Sequence, residues 1–403
     1  MTAAQRWTVG LMFALSVISY FERTILSVAA PSMMKEFALS PEAMGVVFTA
    51  FQLSYTLLMT PGGHLSDRFG PRNVLAAAAL GAGLLTALVP FGGNPGLGAL
   101  FGVVPALALL RFGLGAFTAP LYPSLGHMNA VTMPPGRQAR VFGIVNAGAG
   151  LGGAISPLLF SMLMGRLGWR VSFGLAGAVA MGLALVWWRT VPDQRGARPE
   201  GGRAAWRELL ADRNLRWLIL GYGAVDYFQY IFFFWLYYYL GEVRQLPPGE
   251  TAFYATMPFA AWALMMPVGG WAAGRLSAAY GVKTGLRTVA IASLALASLC
   301  LVAAPGVTET NALVALLSLA LGFAASADVP FWSAAVNLGG RRAGAAGGLM
   351  NTGGNLGGSI APLLTPLVAA RFGWSAGLYL GAAVAVLGIL AWTRIDPAPR
   401  EGE

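Results

Sequence analysis

Apolar runs of about 20 residues recur from one end of the chain to the other, and each is long enough to cross a hydrocarbon core of ~30 Å. Twelve such spans fall at approximately 8–32, 43–65, 74–92, 97–127, 141–164, 171–190, 215–240, 251–274, 286–304, 311–336, 344–368 and 374–393. Charge agrees with that reading. Only 10% of the 403 residues are charged and 57% are hydrophobic, whereas an ordinary soluble domain carries about 25% charged residues. Most faces of this chain therefore meet lipid. The first run, Val9 to Ala30, lacks a small-residue cleavage site and carries a charge pair, so it reads as a retained span and not as a signal peptide.

The net charge of +10 is a topology signal. With the N-terminus inside, most of the Lys and Arg residues fall in cytoplasmic segments, the bias that orients membrane proteins. Both termini are then expected in the cytoplasm of a bacterial inner membrane, and nucleic acid is excluded as a partner. The single cysteine, Cys300, permits no disulfide within the chain and no cysteine metal site. His64 and His127 lie far apart in sequence, which argues against a metal pair. Glycine is abundant, but no strand–Gly–helix context for a phosphate-binding loop exists. No nucleophile–base constellation points to an enzyme. The expectation is a monomer with no cofactor and no metal.

One sizeable polar segment, Val191 to Arg216, interrupts the middle of the chain. It divides the spans six and six, giving an N-terminal bundle over 1–190, a linker over 191–214 and a C-terminal bundle over 215–403. Within it, "AAWRELLADRNLR" can form a short helix on the cytoplasmic face. The halves repeat each other. The stretch "GIVNAGAGLGGAISPLLFSMLMGRLGWR" at 143–170 aligns without gaps with 348–375, 205 residues on, with 13 identities in 28. "LGAFTAPLYP" at 114–123 matches 321–330, and "SYFER" at 19–23 lies over "DYFQY" at 226–230, both at an offset of 207. Six spans is an even number, so a duplicated unit keeps its orientation. Two pseudo-symmetric six-helix bundles about the membrane normal, with a substrate path between them, are expected. Gly148, Gly152 and Gly153, with Gly353, Gly357 and Gly358, mark tightly packed helix faces.

Between spans two and three stands "GGHLSDRFGPRN" (62–73), carrying Gly63, Leu65, Asp67, Arg68, Gly70 and Arg72 in the pattern G-x-L-x-D-R-x-G-x-R. This resembles the loop signature of the major facilitator superfamily. A worn copy, "GGWAAGRLSAAYG", sets Gly274 and Arg275 at the places of Asp67 and Arg68. The resemblance implies the major facilitator fold and a gating role for Gly63, Asp67, Arg68 and Arg72. Segments 20–72, 111–123 and 231–275 are similar to the superfamily's anion:cation symporters, which carry sugar acids and other organic anions.

Charges inside the spans are the candidate site. Glu22, Arg23 and Arg111 each lie well within a span, where a charge costs about 2.5–3.5 kcal/mol on insertion scales. Adjacent residues diverge by ~100° on a helix, so Glu22 and Arg23 cannot pair ideally. Helical spacing aligns Ser16, Tyr20, Arg23 and Ser27 in one stripe, and Arg111, Gly115, Thr118 and Tyr122 in another. Gln52 and Tyr55 add to these. The second half offers Tyr222, Asp226, Gln229 or Tyr230, Tyr237, Asn351, Asn355 and Ser359, with Trp332 and Ser333, and no midplane base. A guanidinium matches a carboxylate, so the expected substrate has one anionic pole and a neutral body: a sugar acid, or a small aromatic or hydroxylated carboxylate. The resemblance implies that Arg23 binds the carboxylate, with Tyr20, Tyr55 and Asn355 assisting, and that Glu22 takes a coupling proton. Arg111, Tyr230 and Asn351 complete the expected substrate contacts. Proton-coupled relatives carry a glutamate where this chain has Thr118, so Glu22 alone, or Asp226 or Asp328, would serve, and uniport stays open. Proton-exchange efflux is the other reading; "GAGLGGAISP" (148–157) lacks the Gly-Pro signature of exporters.

Overall fold

The structure is a computed structural model that describes residues 1–93, 96–193 and 208–398. Among the described residues all regular structure is helical, with no strand. The chain divides into two compact units, Met1–Pro199 with Leu240–Thr256, and Glu200–Tyr239 with Met257–Glu403. Of the expected linker, residues 194–207 lie outside the described residues. The surface helix expected there is described from Glu208 on, where 208–211 are helical and Asp212 caps the next helix by accepting from the amides of Asn214 and Leu215.

The helices are α1 (Ala3–Phe37), α2 (Pro41–Phe69), α3 (Pro71–Leu88), the short α4 (Leu97–Phe101), α5 (Val103–Thr118), α6 (Leu121–Thr132), α7 (Pro135–Thr190), α8 (Arg213–Tyr238), α9 (Pro248–Tyr280), α10 (Val282–Ala303), α11 (Thr310–Gly339), α12 (Ala343–Gly358), α13 (Ala361–Phe372) and α14 (Trp374–Arg394). Nine stretches of the described residues are long and apolar enough to cross a membrane, one of them Val103–Thr132, which joins α5 and α6. Another, Arg140–Thr190, holds two helices meeting at Gly168, whose φ of 74° breaks α7. Adding α8 and the α12–α13 pair, which carry more polar residues, completes the twelve expected spans. Gly373, 205 residues after Gly168, has φ 83° and separates α13 from α14 in the same way.

Each unit repeats the same internal packing. In unit 1, α1 packs along α7, and α3 packs on both α7 and α5. In unit 2, α8 packs along α12, and α10 packs on both α14 and α11. Glycine makes the closest of these approaches possible. A Cβ at Gly152 would run into the carbonyl oxygen of Val17 on α1, and one at Gly357 would run into that of Gly223 on α8. Gly62 against Pro120 on the α2–α5/α6 seam is matched, 207 residues on, by Gly269 against Ser326 on the α9–α11 seam. Without a hydrophobic drive in lipid, backbone-to-backbone contact of this kind is what holds helices together. At a helix end outside the spans, Glu309 caps α11 by accepting from the amides of Asn311 (2.8 Å) and Ala312 (2.6 Å), and these bonds hold its carboxyl below the usual range.

Gly152→Ala and Gly357→Ala should each lower the melting temperature in detergent, by an amount corresponding to about 1–3 kcal/mol, the usual cost of overpacking. Gly143→Ala and Gly165→Ala, where an added Cβ meets nothing within 4 Å, should leave it unchanged. Equal melting curves for all four would show that the helix approach is not tight.

Candidate functional site

The centre of unit 1 is built around α1. Arg23 is only 5% exposed. Its Nη2 donates to Oε1 of Gln52 on α2 at 2.7 Å. The rings of Tyr20, Phe51 and Tyr55 stand 5.5, 5.6 and 5.3 Å from the guanidinium carbon, a cage that favours a cation through the ring quadrupoles. Phe51 and Tyr55, one turn apart on α2, are stacked with centroids 6.0 Å apart. The two stripes read on α1 and on α5/α6 meet: Ser16 and Tyr122 share a hydrogen bond of 2.8 Å, and the rings of Tyr20 and Tyr122 pack edge to face.

Glu22 turns a helical step away from Arg23, as adjacent residues must. It is buried, with Thr86 of α3 and Arg111 of α5 in electrostatic reach. Its Oε1 has no hydrogen-bond partner among the described residues. Arg111 is 1% exposed and does not reach outward. Its Nη1 donates to the backbone oxygen of Glu22 (3.4 Å) and its Nη2 to that of Arg23 (3.3 Å), while the guanidinium lies 4.7 Å from the centre of the Phe51 ring. A helical carbonyl has a second lone pair beyond its helix bond, so α1 can be braced there without unwinding. Thr118, seven residues on, spends its hydroxyl on Leu114 of its own helix (2.7 Å). Gly115 faces Phe51 and Ser54 of α2, a packing position.

Among the described residues of unit 2 the buried charges are both acidic, Asp226 and Asp328. The side-chain amide of Gln229 donates to both oxygens of Asp328, at 3.1 and 3.0 Å. Tyr230 donates to Oδ1 of Asn355 (2.7 Å), whose own amide donates to the backbone and side-chain oxygens of Asn351 (2.8 and 3.2 Å). Asp226 lies against Gly354 and Gly358 of α12. Tyr222, one of the polar residues that the sequence offers on this helix, lies within electrostatic reach of both aspartates and accepts from Trp332 Nε1 at 3.1 Å. The glycines of α12 leave room for the Tyr222 ring and for Asp226.

The signature segment is not an extended loop. Residues 62–69 are the last turns of α2, and Gly70 alone, with φ 83°, turns the chain into α3. Asp67 stands 3.5 Å from His127 Nδ1 on α6, and Ser66 bonds the same nitrogen at 3.1 Å. Arg72 donates through Nε and Nη2 to the carbonyl of Trp188, and Trp187 donates back to the carbonyl of Arg72 (2.9 Å). Gly63 lies beside Pro123 of α6. His127, Trp187 and Trp188 carried no motif and were missed as partners. In the second half the turn falls at Gly281 (φ 85°), with its amide on Ser277 as that of Gly70 is on Ser66. From the Gly62/Gly269 register, that helix runs one turn further before it stops, and Gly274 and Arg275 lie within α9. Among the described residues no group of three or more His, Cys, Asp or Glu side chains forms a metal site.

Twelve apolar helices in two duplicated units, with arginines and acids buried at mid-span, define a polytopic carrier and not an enzyme. The family model described as Major Facilitator Superfamily matches residues 12–362 and 272–403, and the chain belongs to that superfamily. It is similar to a probable sulfoacetate transporter of Cupriavidus necator, 29% identical over 96% of this chain and 93% of the relative. It is also similar to a hexuronate transporter of Bacillus subtilis, 26% identical over 97% of this chain and 96% of the relative. In fold it resembles the solved structure of a bacterial homologue of the human lysosomal transporter Spinster, with a TM-score of 0.80 and 17% identity over 98% of this chain and 96% of that one.

Arg111→Met keeps much of the buried volume and loses both bonds to α1. The protein should fold, with a melting temperature within a few degrees of the parent, but take up its anion at least about tenfold more slowly, because Arg23 and Glu22 lose their register. Parental uptake rates would show that the brace does not position α1.

Proposed function

We propose that this carrier imports a small organic anion, a sugar acid or another small carboxylate, by proton symport with alternating access. It does so as a monomer in a bacterial inner membrane, with both termini in the cytoplasm. The observation that carries this reading is the Arg23 guanidinium: buried, caged by aromatic rings, and bonded through Nη2 to the neutral amide oxygen of Gln52. A carboxylate can displace a neutral acceptor and gain a charge-assisted, two-pronged contact. Relatives named for sulfoacetate and hexuronate, both organic anions, support the same substrate class. Tyr20 and Tyr55 flank the anion. The end of α2 is the gate, with Gly63 beside Pro123 of α6 and Asp67, Arg68 and Arg72 holding it in one state.

Glu22 is the proton carrier in this reading, since its carboxyl is buried beside Thr86 and its Oε1 has no hydrogen-bond partner among the described residues. Neutral, it leaves the positive charge of this region to draw an anion to Arg23; ionised, it cancels part of that charge from beside Arg111. Proton and substrate then bind together by linkage, each raising the other's affinity equally. Thr118 supplies no second acid, so Asp226 or Asp328 is the alternative proton site.

Binding of a panel of sugar acids, monocarboxylates and aromatic acids, read by thermal shift, identifies the anion. Arg23→Ala should abolish that shift, and Arg23→Lys should not restore it, because an ammonium lacks the planar fork. A parental shift from Arg23→Ala would remove Arg23 from the site.

In proteoliposomes, Glu22→Gln should lose accumulation driven by an inward proton gradient and keep exchange between two filled compartments. Thr118→Glu should alter the pH dependence of uptake. Undiminished gradient-driven accumulation by Glu22→Gln would move the proton to Asp226 or Asp328, whereas a parent that accumulates nothing under the gradient would leave uniport.

A further inference from the structure

A cleft of about 620 Å³ opens in unit 1 between α2, α3 and the α5/α6 seam, away from Arg23 and Glu22. It is far larger than the ~30 Å³ share of a water molecule in the liquid. Ala77 and Ala78 of α3 and Ala116 of α5 leave the space between the helices, and Leu65, Phe69 and Phe117 form its apolar walls. Those three walls are 45%, 49% and 45% exposed, so the cleft is not sealed by protein. Its polar groups are Arg68 and Asn73, beside the turn from α2 to α3. Asn73 spends its amide on the Phe69 carbonyl. Arg68 has no carboxylate partner among the described residues: Asp67 is turned to His127, and the guanidinium lies 5.1 Å from the Phe69 ring.

An apolar cleft lined by one cation without a carboxylate partner among the described residues matches an amphiphile with an anionic head. We propose that this cleft binds an anionic phospholipid, its phosphate on Arg68 and an acyl chain lying along Ala77, Ala78 and Ala116 against Phe117. Basic pockets between transmembrane helices at the cytoplasmic side are where acidic lipid headgroups are held, and the signature end of α2 is the end expected there. A free phosphate would use Arg68 but leave the apolar walls unfilled, so the lipid is the better occupant. Because Arg68 follows Asp67 directly, an occupied cleft ties lipid to the segment that carries the gate.

Native mass spectrometry of the full-length protein reads this directly. Released from detergent after titration with phosphatidylglycerol or phosphatidylcholine of the same chains, the parent should retain phosphatidylglycerol preferentially. Arg68→Gln should reduce that adduct about fivefold and leave phosphatidylcholine retention alone. Ala77→Phe, at an exposed position where a ring fills the cleft, should reduce both lipids. Equal retention of the two lipids by the parent, phosphatidylglycerol retention by Arg68→Gln at the parental level, or displacement of the lipid by millimolar glycerol phosphate would each overturn it.

Discussion

The brace between Arg111 and the backbone of α1 is the interaction on which the polar interior of unit 1 depends. A charged side chain at mid-span pairs with another charge or with backbone carbonyls. Here two of the guanidinium donors fall on consecutive carbonyls, those of Glu22 and Arg23. That choice fixes the rotation of α1 as well as its height. With α1 so set, Arg23 must point to Gln52 on α2, and Glu22, about 100° around the helix, must point towards α3 and α5. Phe51 lies beside both guanidinium groups and so couples the two arginines through one ring. The charged pair is thus split by helix geometry into a group exposed to a neutral acceptor and a group enclosed among helices.

The two units keep one backbone plan and have diverged in charge. At the offset of 207, Arg23 corresponds to Tyr230, Glu22 to Gln229 and Arg111 to Ser318. The second unit has no base at any of these places. Its buried acids, Asp226 and Asp328, occur where the first unit has Ser19 and Leu121. Duplication preserved the packing glycines, whose substitution would be felt by a neighbouring backbone. It did not preserve the charges, which answer to what is carried.

Much of the fold was legible because lipid makes sequence periodic and plain. Span length, the repeated glycines and the paired Gly168 and Gly373 turns all follow from local constraints. The candidate site was legible in membership and not in pairing. Tyr20, Arg23, Glu22 and Arg111 stood out because charge inside a span is costly. Their partners did not: Gln52 meets Arg23 across 29 residues, and Tyr230 meets Asn355 across 125. Such contacts depend on helix rotations that no local pattern encodes. Arg111 was read as a substrate contact and is found on the α1 backbone for this reason. The extra turn of α9 was hidden as well, since the match to the first half holds as far as Gly269 and Arg275 sits plausibly in either frame.

The glycine seams carry a mechanical meaning. Where Gly152 meets Val17 and Gly357 meets Gly223, main chain touches main chain, and no flexible side chain lies between to absorb a shift. The α1–α7 and α8–α12 pairs are therefore stiff laminates. A displacement that carries Arg23 must take α7 with it, so the compliance needed for a transport cycle is confined to segments without such seams. Evolution can then tune cargo by changing side chains on these boards and leave their stiffness untouched.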